Sequence, residues 1–241
     1  MSSCEILPFS ITLPDTVIFD LDGTLVDSAP DLTGALNATM ATLGLHPIPE
    51  AEVRHMVGHG ARKLIERGLE AHAVPKSSAE VDALVAVFID HYAGHVADSS
   101  VAFPGVVATL DWLRARGVRL GVCTNKPESL AKQLLVALEL DRFFPAAAIL
   151  GGDSLPVKKP DGRHLIATVE ALEGDLTRTV MVGDSATDLR AARDADVPVV
   201  LVSFGYTPVP AHELEPDAVI DHFTDLTKVM PEVLDRHRAR H

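Results

Sequence analysis

VIFDLDGTLVDS, residues 17–28, joins an apolar, β-branched segment to two aspartates that are one residue apart. The segment Thr16–Phe19 is typical of a short buried strand. Asp20 and Asp22 follow it, and Gly23 then permits a sharp turn. Because a buried carboxylate is costly unless another group compensates its charge, the stretch predicts a compensating group beside these two acids.

The rest of the chain alternates between strand-like and helical segments. Further strands are predicted for VRLGVC (118–123), AAAIL (146–150), TVMVG (179–183) and VPVVLV (197–202). Helical patterns cover residues 105–116, 127–139, 161–172 and 185–194. This alternation predicts an α/β fold with a doubly wound, mostly parallel sheet, a Rossmann-like core with helices on both faces. Ligands bind such sheets at the carboxyl ends of the strands.

One segment, residues 30–97, interrupts the alternation with helical periods and no convincing strand. It predicts an inserted α-helical cap domain, with an α/β catalytic core formed by residues 1–29 and 98–241. Ser28-Ala29-Pro30-Asp31 fits the start of its first helix, with an early proline and a capping-box acid. Because the insert follows the first strand, we expect it to lie above the two aspartates and to act as a lid.

Composition and charge exclude several classes of partner. The 241 residues include 34 acidic and 21 basic ones, which gives a formal charge of −13. This charge repels nucleic acid and anionic lipid, and an anionic substrate needs a local cation or basic residue to reverse it. Cys4 and Cys123 cannot form a disulfide framework, residues 1–14 make a poor signal peptide, and no apolar run is long enough to span a bilayer. We therefore expect a cytoplasmic protein, either a monomer or a homodimer.

Two further strand ends carry groups that suit a phosphate. Thr124 reads as the N-cap of a helix, where free amides can bind phosphate oxygens, although simple capping explains the same pattern. Lys126 can reach this site or be solvated. Lys158 and Lys159 precede a proline, and one of them can supply a fixed positive charge. The residue pattern alone does not select between these two lysines, and two solvated surface lysines are the alternative.

The segment GDSATD, residues 183–188, adds two more acids at another strand end. Asp184 ends the strand and Asp188 lies four residues on, along one face of the next helix; N-capping by Asp184 with an exposed Asp188 is the alternative. If both acids converge with Asp20 and Asp22, the four carboxylates repel one another or take up protons. A hard divalent cation resolves this conflict, and oxygen ligands beside a phosphate suit Mg²⁺. The pattern therefore predicts a magnesium site built for phosphate.

Taken in order, these motifs resemble the haloacid dehalogenase superfamily of aspartate-nucleophile phosphatases. The segments that carry the resemblance, over roughly residues 16–205, are DLDGTLVDS, CTNK, KKP and GDSATD. The segments similar to the phosphoglycolate phosphatase-like branch, with its helical cap, are VGHGARKLIERGL, TNKP, GGDSLPVKKP and SFGY. One departure is Asp161-Gly162 after Pro160, where relatives often have a second proline.

The resemblance implies a role for each acid. Asp20 attacks phosphorus and becomes an aspartyl phosphate, and Asp22 protonates the leaving alcohol and then activates water. Mg²⁺ is held by the Asp20 side chain, the Asp22 backbone carbonyl and Asp184. Asp188 and Ser185 orient these ligands.

The resemblance also implies a small phosphorylated substrate, with 2-phosphoglycolate as the first candidate. The residues implied to bind its phosphoryl oxygens are Thr124, Asn125 and Lys159. The candidates for substrate selection are His59, Arg62 and Lys126. A basic side chain of this group would pair with the substrate carboxylate, and for Arg62 a solvated helix residue is the alternative.

Other activities share these motifs. A phosphosugar phosphatase, including one for an amino-sugar 6-phosphate, a pyrophosphatase and a phosphomutase all use the same core residues. A carbon–halogen hydrolase has no use for an acid at Asp22, which argues against it. A receiver-type signalling domain also binds Mg²⁺ at strand-end aspartates, but it is smaller and has no helical insert after its first strand.

Overall fold

One parallel sheet organises the part of the chain that this computed structural model describes, residues 13–240. The strands are β1 Thr16–Phe19, β2 Val26–Asp27, β3 Val101–Ala102, β4 Arg119–Cys123, β5 Ile149–Leu150, β6 Thr179–Gly183, β7 Val199–Val202 and β8 Ala218–Ile220. The helices are α1 Ala29–Ala41, α2 Glu50–Arg54, α3 Ala61–Ala71, α4 Ser78–Ala93, α5 Val106–Arg114, α6 Glu128–Ala137, α7 Gly162–Glu170, α8 Ala186–Asp194 and α9 Leu226–Arg238. Cys4 and most of the N-terminal stretch interpreted as a poor signal peptide lie outside the described residues.

The sheet has the strand order β5-β4-β1-β6-β7-β8, and every neighbouring pair is parallel. The first strand of the chain, β1, is therefore central, with Thr16 opposite both Arg119 of β4 and Thr179 of β6. This topology confirms the doubly wound α/β prediction. Side chains that follow β1, β4 and β6 consequently meet at one edge of the sheet.

Both faces of the sheet are buried, as a doubly wound fold requires. Val17 and Phe19 of β1 join one apolar cluster, whereas Ile18 joins a second cluster on the opposite face. Leu165 of α7 packs in the second cluster and Leu110 of α5 in the first. Each such buried side chain contributes about 1.5–3 kcal/mol relative to exposure, which makes the sheet a firm base for the residues at its edge.

The segment between β2 and β3 is helical in the structure and contains α1, α2, α3 and α4. β2 and β3 pair antiparallel, with Val26 opposite Ala102 and Asp27 opposite Val101, so the chain leaves and re-enters the core through a two-stranded ribbon. The predicted helical character of residues 30–97 is confirmed. The division into a core of 1–29 and 98–241 and a cap of 30–97 stays a prediction.

The capping box predicted at the start of α1 is wrong. Ser28 is the N-cap, but its hydroxyl donates to Asp22 Oδ1 at 2.5 Å and makes no bond to the helix backbone. Asp31 accepts hydrogen bonds from Ser99 N and Ser100 N, at 3.0 and 2.7 Å, and so joins the two ends of the insert. Local sequence suggested a cap because it does not show these long-range partners.

Among the helices of residues 13–240, none combines the length and the apolar character needed to cross a membrane.

Candidate active site

Three buried carboxylates meet where β1 and β6 end. Asp20 directly follows β1, Asp184 directly follows β6, and Asp188 lies in the first turn of α8. One carboxylate oxygen of each lies within 4.8 Å of the others. Asp188 is 0% exposed, so the alternative in which it is a solvated acid is wrong. Its Oδ2 accepts hydrogen bonds from Ser185 N and Ser185 Oγ, at 3.1 and 2.7 Å, and these bonds fix the carboxylate in the cluster.

Lys159 lies between two of these acids. Its Nζ is 2.8 Å from Asp20 Oδ1 and 2.6 Å from Asp188 Oδ1, and its side chain is 1% exposed. Burial lowers the pKa of Lys159, but the neighbouring Asp188 and Asp20 carboxylates outweigh it and the pKa is raised, so the ammonium stays charged. Lys158 instead donates to the backbone oxygen of His59 at 3.2 Å, at the surface.

The cluster contains three acids and one lysine, so it carries excess negative charge. Burial, followed by repulsion from Asp188, raises the pKa of Asp20 to about 7 against the attraction of Lys159. Burial and the same neighbouring acids raise the pKa of Asp184 well above its usual range. Hard oxygen donors, crowded together without enough cations, fit a divalent metal ion.

Backbone packing holds Asp184 against the turn after β1. Gly23 has φ +85°, and a Cβ at this position would lie 2.5 Å from Asp184 Oδ2. A Cβ at Gly205 would lie 2.2 Å from the Asp184 Cβ. Both distances are shorter than the contacts that Cβ atoms make in proteins, so only glycine at these positions allows the backbone to approach the carboxylate this closely.

Asp22 has a different environment from the cluster. Its carboxylate accepts hydrogen bonds from Ser28 Oγ at 2.5 Å and from Lys126 Nζ at 2.9 and 3.2 Å. The Lys126 side chain is 3% exposed, and its Nζ lies 4.4 Å from the centre of the Tyr92 ring. Burial lowers the pKa of Lys126, but Asp22 and then Tyr92 outweigh it, and the pKa is raised. The interpretation of Lys126 as a solvated lysine is therefore wrong.

The prediction of Thr124 as an N-cap is also wrong. α6 begins at Glu128 with Pro127 as its N-cap, and Thr124 Oγ1 accepts from Lys126 N at 3.2 Å within the preceding turn. Asn125 Nδ2 donates to Gly58 O and to Lys159 O, both at 3.0 Å. Thr124 and Asn125 are both buried at the sheet edge. Thr124 lies outside the helix because the residue before a proline disfavours helical backbone, so the helix cannot begin before Pro127.

A cavity of about 40 Å³ lies between the sheet edge and the insert. Its polar wall includes Asp20, Asp22, Thr124, Asn125 and Lys126. Its apolar wall includes Val57, Ala61, Leu64, Phe88, Ile89 and Tyr92, all from the insert. The volume is a few times the space that one water needs, so the cavity suits a small group.

The two selection candidates of the insert differ in position. His59 contacts the core, because its Nδ1 lies 3.1 Å from Thr187 Oγ1 at the start of α8. Burial, followed by the Arg67 charge, lowers the pKa of His59. Arg62 is 42% exposed, pairs with Glu66 at 3.1 Å and with Asp82, and does not line the cavity. The structure thus places His59 against α8, but it does not line the cavity, and Arg62 matches the solvated-helix interpretation.

Sequence reasoning missed two tyrosines that contact the site residues. Tyr92 stacks under Lys126 from α4, and Tyr206 N donates to Asp184 Oδ2 at 2.7 Å. Tyr206 belongs to SFGY, a segment noticed only for its resemblance to a family branch. No local pattern marks either residue, since both act through partners that are far away in sequence.

Comparison with known proteins agrees with this geometry. A family model described as haloacid dehalogenase-like hydrolase matches residues 14–196. The chain is 52% identical over 213 residues to a phosphoglycolate phosphatase of Caulobacter vibrioides. This match covers 88% of this chain and 89% of the relative. It is 48% identical over 222 residues to a phosphoglycolate phosphatase of Agrobacterium fabrum, with 92% and 94% covered.

A solved structure agrees as well. The crystal structure described as a predicted phosphoglycolate phosphatase from Haemophilus somnus superposes with a TM-score of 0.81 at 30% identity, over 89% of this chain and 97% of that one. The residues matched by the family model include the buried acids and Lys159. The chain therefore belongs to the haloacid dehalogenase-like hydrolases.

Proposed function

We propose that this chain hydrolyses 2-phosphoglycolate to glycolate and phosphate, using Mg²⁺ and an aspartyl-phosphate intermediate on Asp20. The observation that carries the proposal is the buried Asp20 carboxylate, paired with Lys159 at 2.8 Å and crowded by two further acids. This arrangement suits a nucleophile that must meet an anionic phosphoryl group. The substrate is supported by relatives named phosphoglycolate phosphatase at 52% and 48% identity.

The residues proposed to hold Mg²⁺ are the Asp20 side chain, the Asp22 backbone carbonyl and Asp184, oriented by Asp188 and Ser185. The excess negative charge of the buried cluster supports this assignment. When bound, the ion supplies positive charge that lets a carboxylate nucleophile approach a negatively charged phosphate.

In the first step, an Asp20 oxygen forms a bond to phosphorus while the bond from phosphorus to the glycolate oxygen breaks. The glycolate oxygen takes the electron pair of the broken bond and a proton from Asp22, which must enter this step as the carboxylic acid, with Lys126 paired to the substrate carboxylate instead. Thr124 and Lys159 bind the phosphoryl oxygens, and Asn125 contributes its backbone N–H, because its side-chain amide donates to Gly58 O and Lys159 O. General acid help of this kind contributes on the order of 10²–10⁴-fold to the rate.

In the second step, water attacks the phosphorus of the aspartyl phosphate. Asp22, now deprotonated, takes a proton from that water, and the bond between phosphorus and Asp20 breaks. Inorganic phosphate leaves, and both aspartates return to their starting states. Splitting hydrolysis into two displacements lets the same two carboxylates serve both steps.

Selection of the leaving group is proposed to depend on Lys126. Its buried ammonium is the cation at the boundary between the polar wall and the apolar wall of the cavity. A carboxylate on a two-carbon leaving group can pair with it, whereas a simple sugar phosphate has no carboxylate to offer this ammonium. We assign no selective role to Arg62, because its guanidinium is engaged by Glu66 and Asp82. The insert, proposed as a cap over residues 30–97, brings the apolar wall, and its His59 closes against Thr187.

The experiment is a measurement of phosphate release with Mg²⁺ from 2-phosphoglycolate, several sugar phosphates, an amino-sugar 6-phosphate and pyrophosphate. We expect kcat/KM for 2-phosphoglycolate to exceed the others by at least about tenfold, since a charged pair discriminates by that much or more. A flat profile, or one led by a sugar phosphate, would overturn the substrate. Failure to release phosphate from any of them would overturn the activity itself.

A further inference from the structure

Tyr206 connects the acidic cluster to the point where the chain enters the insert. Its backbone N–H donates to Asp184 Oδ2 at 2.7 Å. Its hydroxyl accepts hydrogen bonds from Ser28 N at 2.8 Å and Ala29 N at 3.0 Å, and donates to Asp27 Oδ1 at 2.7 Å. A hydroxyl has one proton and two lone pairs, so these three bonds use its full capacity.

The start of α1 explains why a distant hydroxyl is needed there. A helix leaves its first backbone N–H groups without intrahelical partners, and the N-cap side chain usually accepts from them. Ser28 makes no such bond, and its hydroxyl is directed to Asp22 instead. Pro30 has no N–H to satisfy. The Tyr206 hydroxyl therefore accepts from the backbone N–H groups at the start of α1, although Tyr206 is far from this helix in sequence.

The same contacts continue into the insert. Asp27 Oδ2 accepts from Arg54 Nη2 at 3.0 Å, and Arg54 belongs to α2. The Arg54 guanidinium also lies over the Tyr206 ring, with its central carbon 5.3 Å from the ring centre. Tyr206 thus contacts an acid of the cluster, the entry ribbon and, through Asp27 and its own ring, the second helix of the insert.

We propose that Tyr206 is a positioning residue that couples the Asp184 carboxylate to the orientation of the insert. Because one residue contacts both, through its backbone N–H and through its hydroxyl, a shift at the start of the insert is passed to the residue that holds the acid, and the apolar wall of the cavity is held over the reacting groups. The inference rests on the proposed function in taking the acidic cluster as the reaction centre.

The matched control variant comes from Ser100, at the point where the chain leaves the insert and returns to the core. Ser100 Oγ donates to Asp31 Oδ2 at 2.6 Å, in a buried position, and Ser100 N donates to the same oxygen at 2.7 Å. Ser100→Ala removes a buried hydroxyl but keeps the backbone bond. Tyr206→Phe likewise removes only a hydroxyl and keeps the backbone bond to Asp184. The two variants differ in whether the lost hydroxyl belongs to a residue that contacts the acidic cluster.

The test is hydrogen exchange of residues 57–64 in both variants and the wild type, with Mg²⁺, together with thermal unfolding. This segment lines the cavity and contacts the core through Gly58 O, which accepts from Asn125 Nδ2 at 3.0 Å. Loss of the Tyr206 hydroxyl bonds should speed its exchange about tenfold, because each net hydrogen bond changes a local opening equilibrium several-fold. Ser100→Ala should leave the exchange of 57–64 within about twofold of wild type.

Kinetics provide a second readout. Tyr206→Phe should raise KM for 2-phosphoglycolate about tenfold with a smaller change in kcat, and Ser100→Ala should change neither. Equal exchange in wild type and Tyr206→Phe would overturn the coupling, as would equal effects of both variants on exchange and melting temperature. The exchange measurement needs no substrate, so it stands even if 2-phosphoglycolate proves not to be hydrolysed.

Discussion

The Lys126 ammonium donates to both carboxylate oxygens of Asp22, at 2.9 and 3.2 Å, in a buried ion pair. The proposed acid–base residue therefore has its own counterion, separate from Lys159, which pairs with Asp20 and Asp188. In the proposed reaction, Lys159 then binds the phosphoryl group and Lys126 binds the leaving group.

Replacing Lys126 should damage selectivity more than chemistry. In Lys126→Met, we expect kcat/KM for 2-phosphoglycolate to fall by about 10–10²-fold more than kcat/KM for p-nitrophenyl phosphate, because only the first substrate carries a carboxylate to pair. Lys158→Met is the matched control, since Lys158 is exposed and bonds to His59 O. An equal loss on both substrates would leave Lys126 with a role toward Asp22 alone.

Replacing Asp20 should stop turnover while preserving the fold. Asp20→Asn removes the nucleophilic oxygen, and we expect steady-state phosphate release to fall on the order of 10⁴-fold or more. Asp82→Asn changes an exposed acid of α4 and should retain wild-type rates. Activity of Asp20→Asn near the wild-type level would remove Asp20 from the reaction.

Without metal, stability should decrease as the pH rises. Burial raises the pKa of Asp20 to about 7, above its usual value of 3.8, so the folded state binds more protons than the unfolded chain between these values. The stabilisation is complete below pH of about 4 and is lost as the pH rises through about 7. Urea unfolding in EDTA should show this decline in wild type and a shallower one in Asp20→Asn. Parallel profiles for the two proteins would contradict the raised pKa of the buried Asp20 carboxyl.

Adding Mg²⁺ should stabilise the protein and switch on the reaction. At a concentration about 100 times its Kd, a ligand that binds only the folded state adds about 2.7 kcal/mol, or roughly 5–10 °C in Tm for a chain of this size. EDTA should abolish phosphate release. Asp184→Asn should lose the Tm shift, and turnover that persists in EDTA would refute the metal requirement.

Much of the sheet could be predicted because its strands are buried on both faces. β1, β4, β6 and β7 read as short runs of apolar, β-branched residues, and the helices α5, α6, α7 and α8 lie within a few residues of the predicted bounds. β2, β3 and β8 were not predicted. Strands of two or three residues carry no periodic pattern, and their formation depends on partners elsewhere in the chain.

The site likewise has features that the sequence predicted and features that it could not predict. The strand order predicted that Asp20, Asp184 and Asp188 meet, because parallel strands end at one edge. Only the family resemblance selected Lys159 over Lys158, and Asp22, expected in the same cluster, pairs with Lys126 instead.

Local sequence was wrong about Thr124 as a helix cap and about the capping box at Ser28, which is the N-cap of α1 but donates its hydroxyl to Asp22. Burial of Lys126 could not be predicted either, because it depends on Asp22 and on Tyr92 from the insert.

The central claim is that Asp20 carries the phosphoryl group during turnover. Wild-type protein mixed with 2-phosphoglycolate and Mg²⁺, quenched in acid and reduced with borohydride, should yield a peptide in which residue 20 is converted from aspartate to homoserine, since reduction attacks an acyl phosphate and spares a free carboxylate. We predict this conversion at residue 20, only when substrate is present. Phosphate release without it, or with the conversion at another aspartate, would contradict the account.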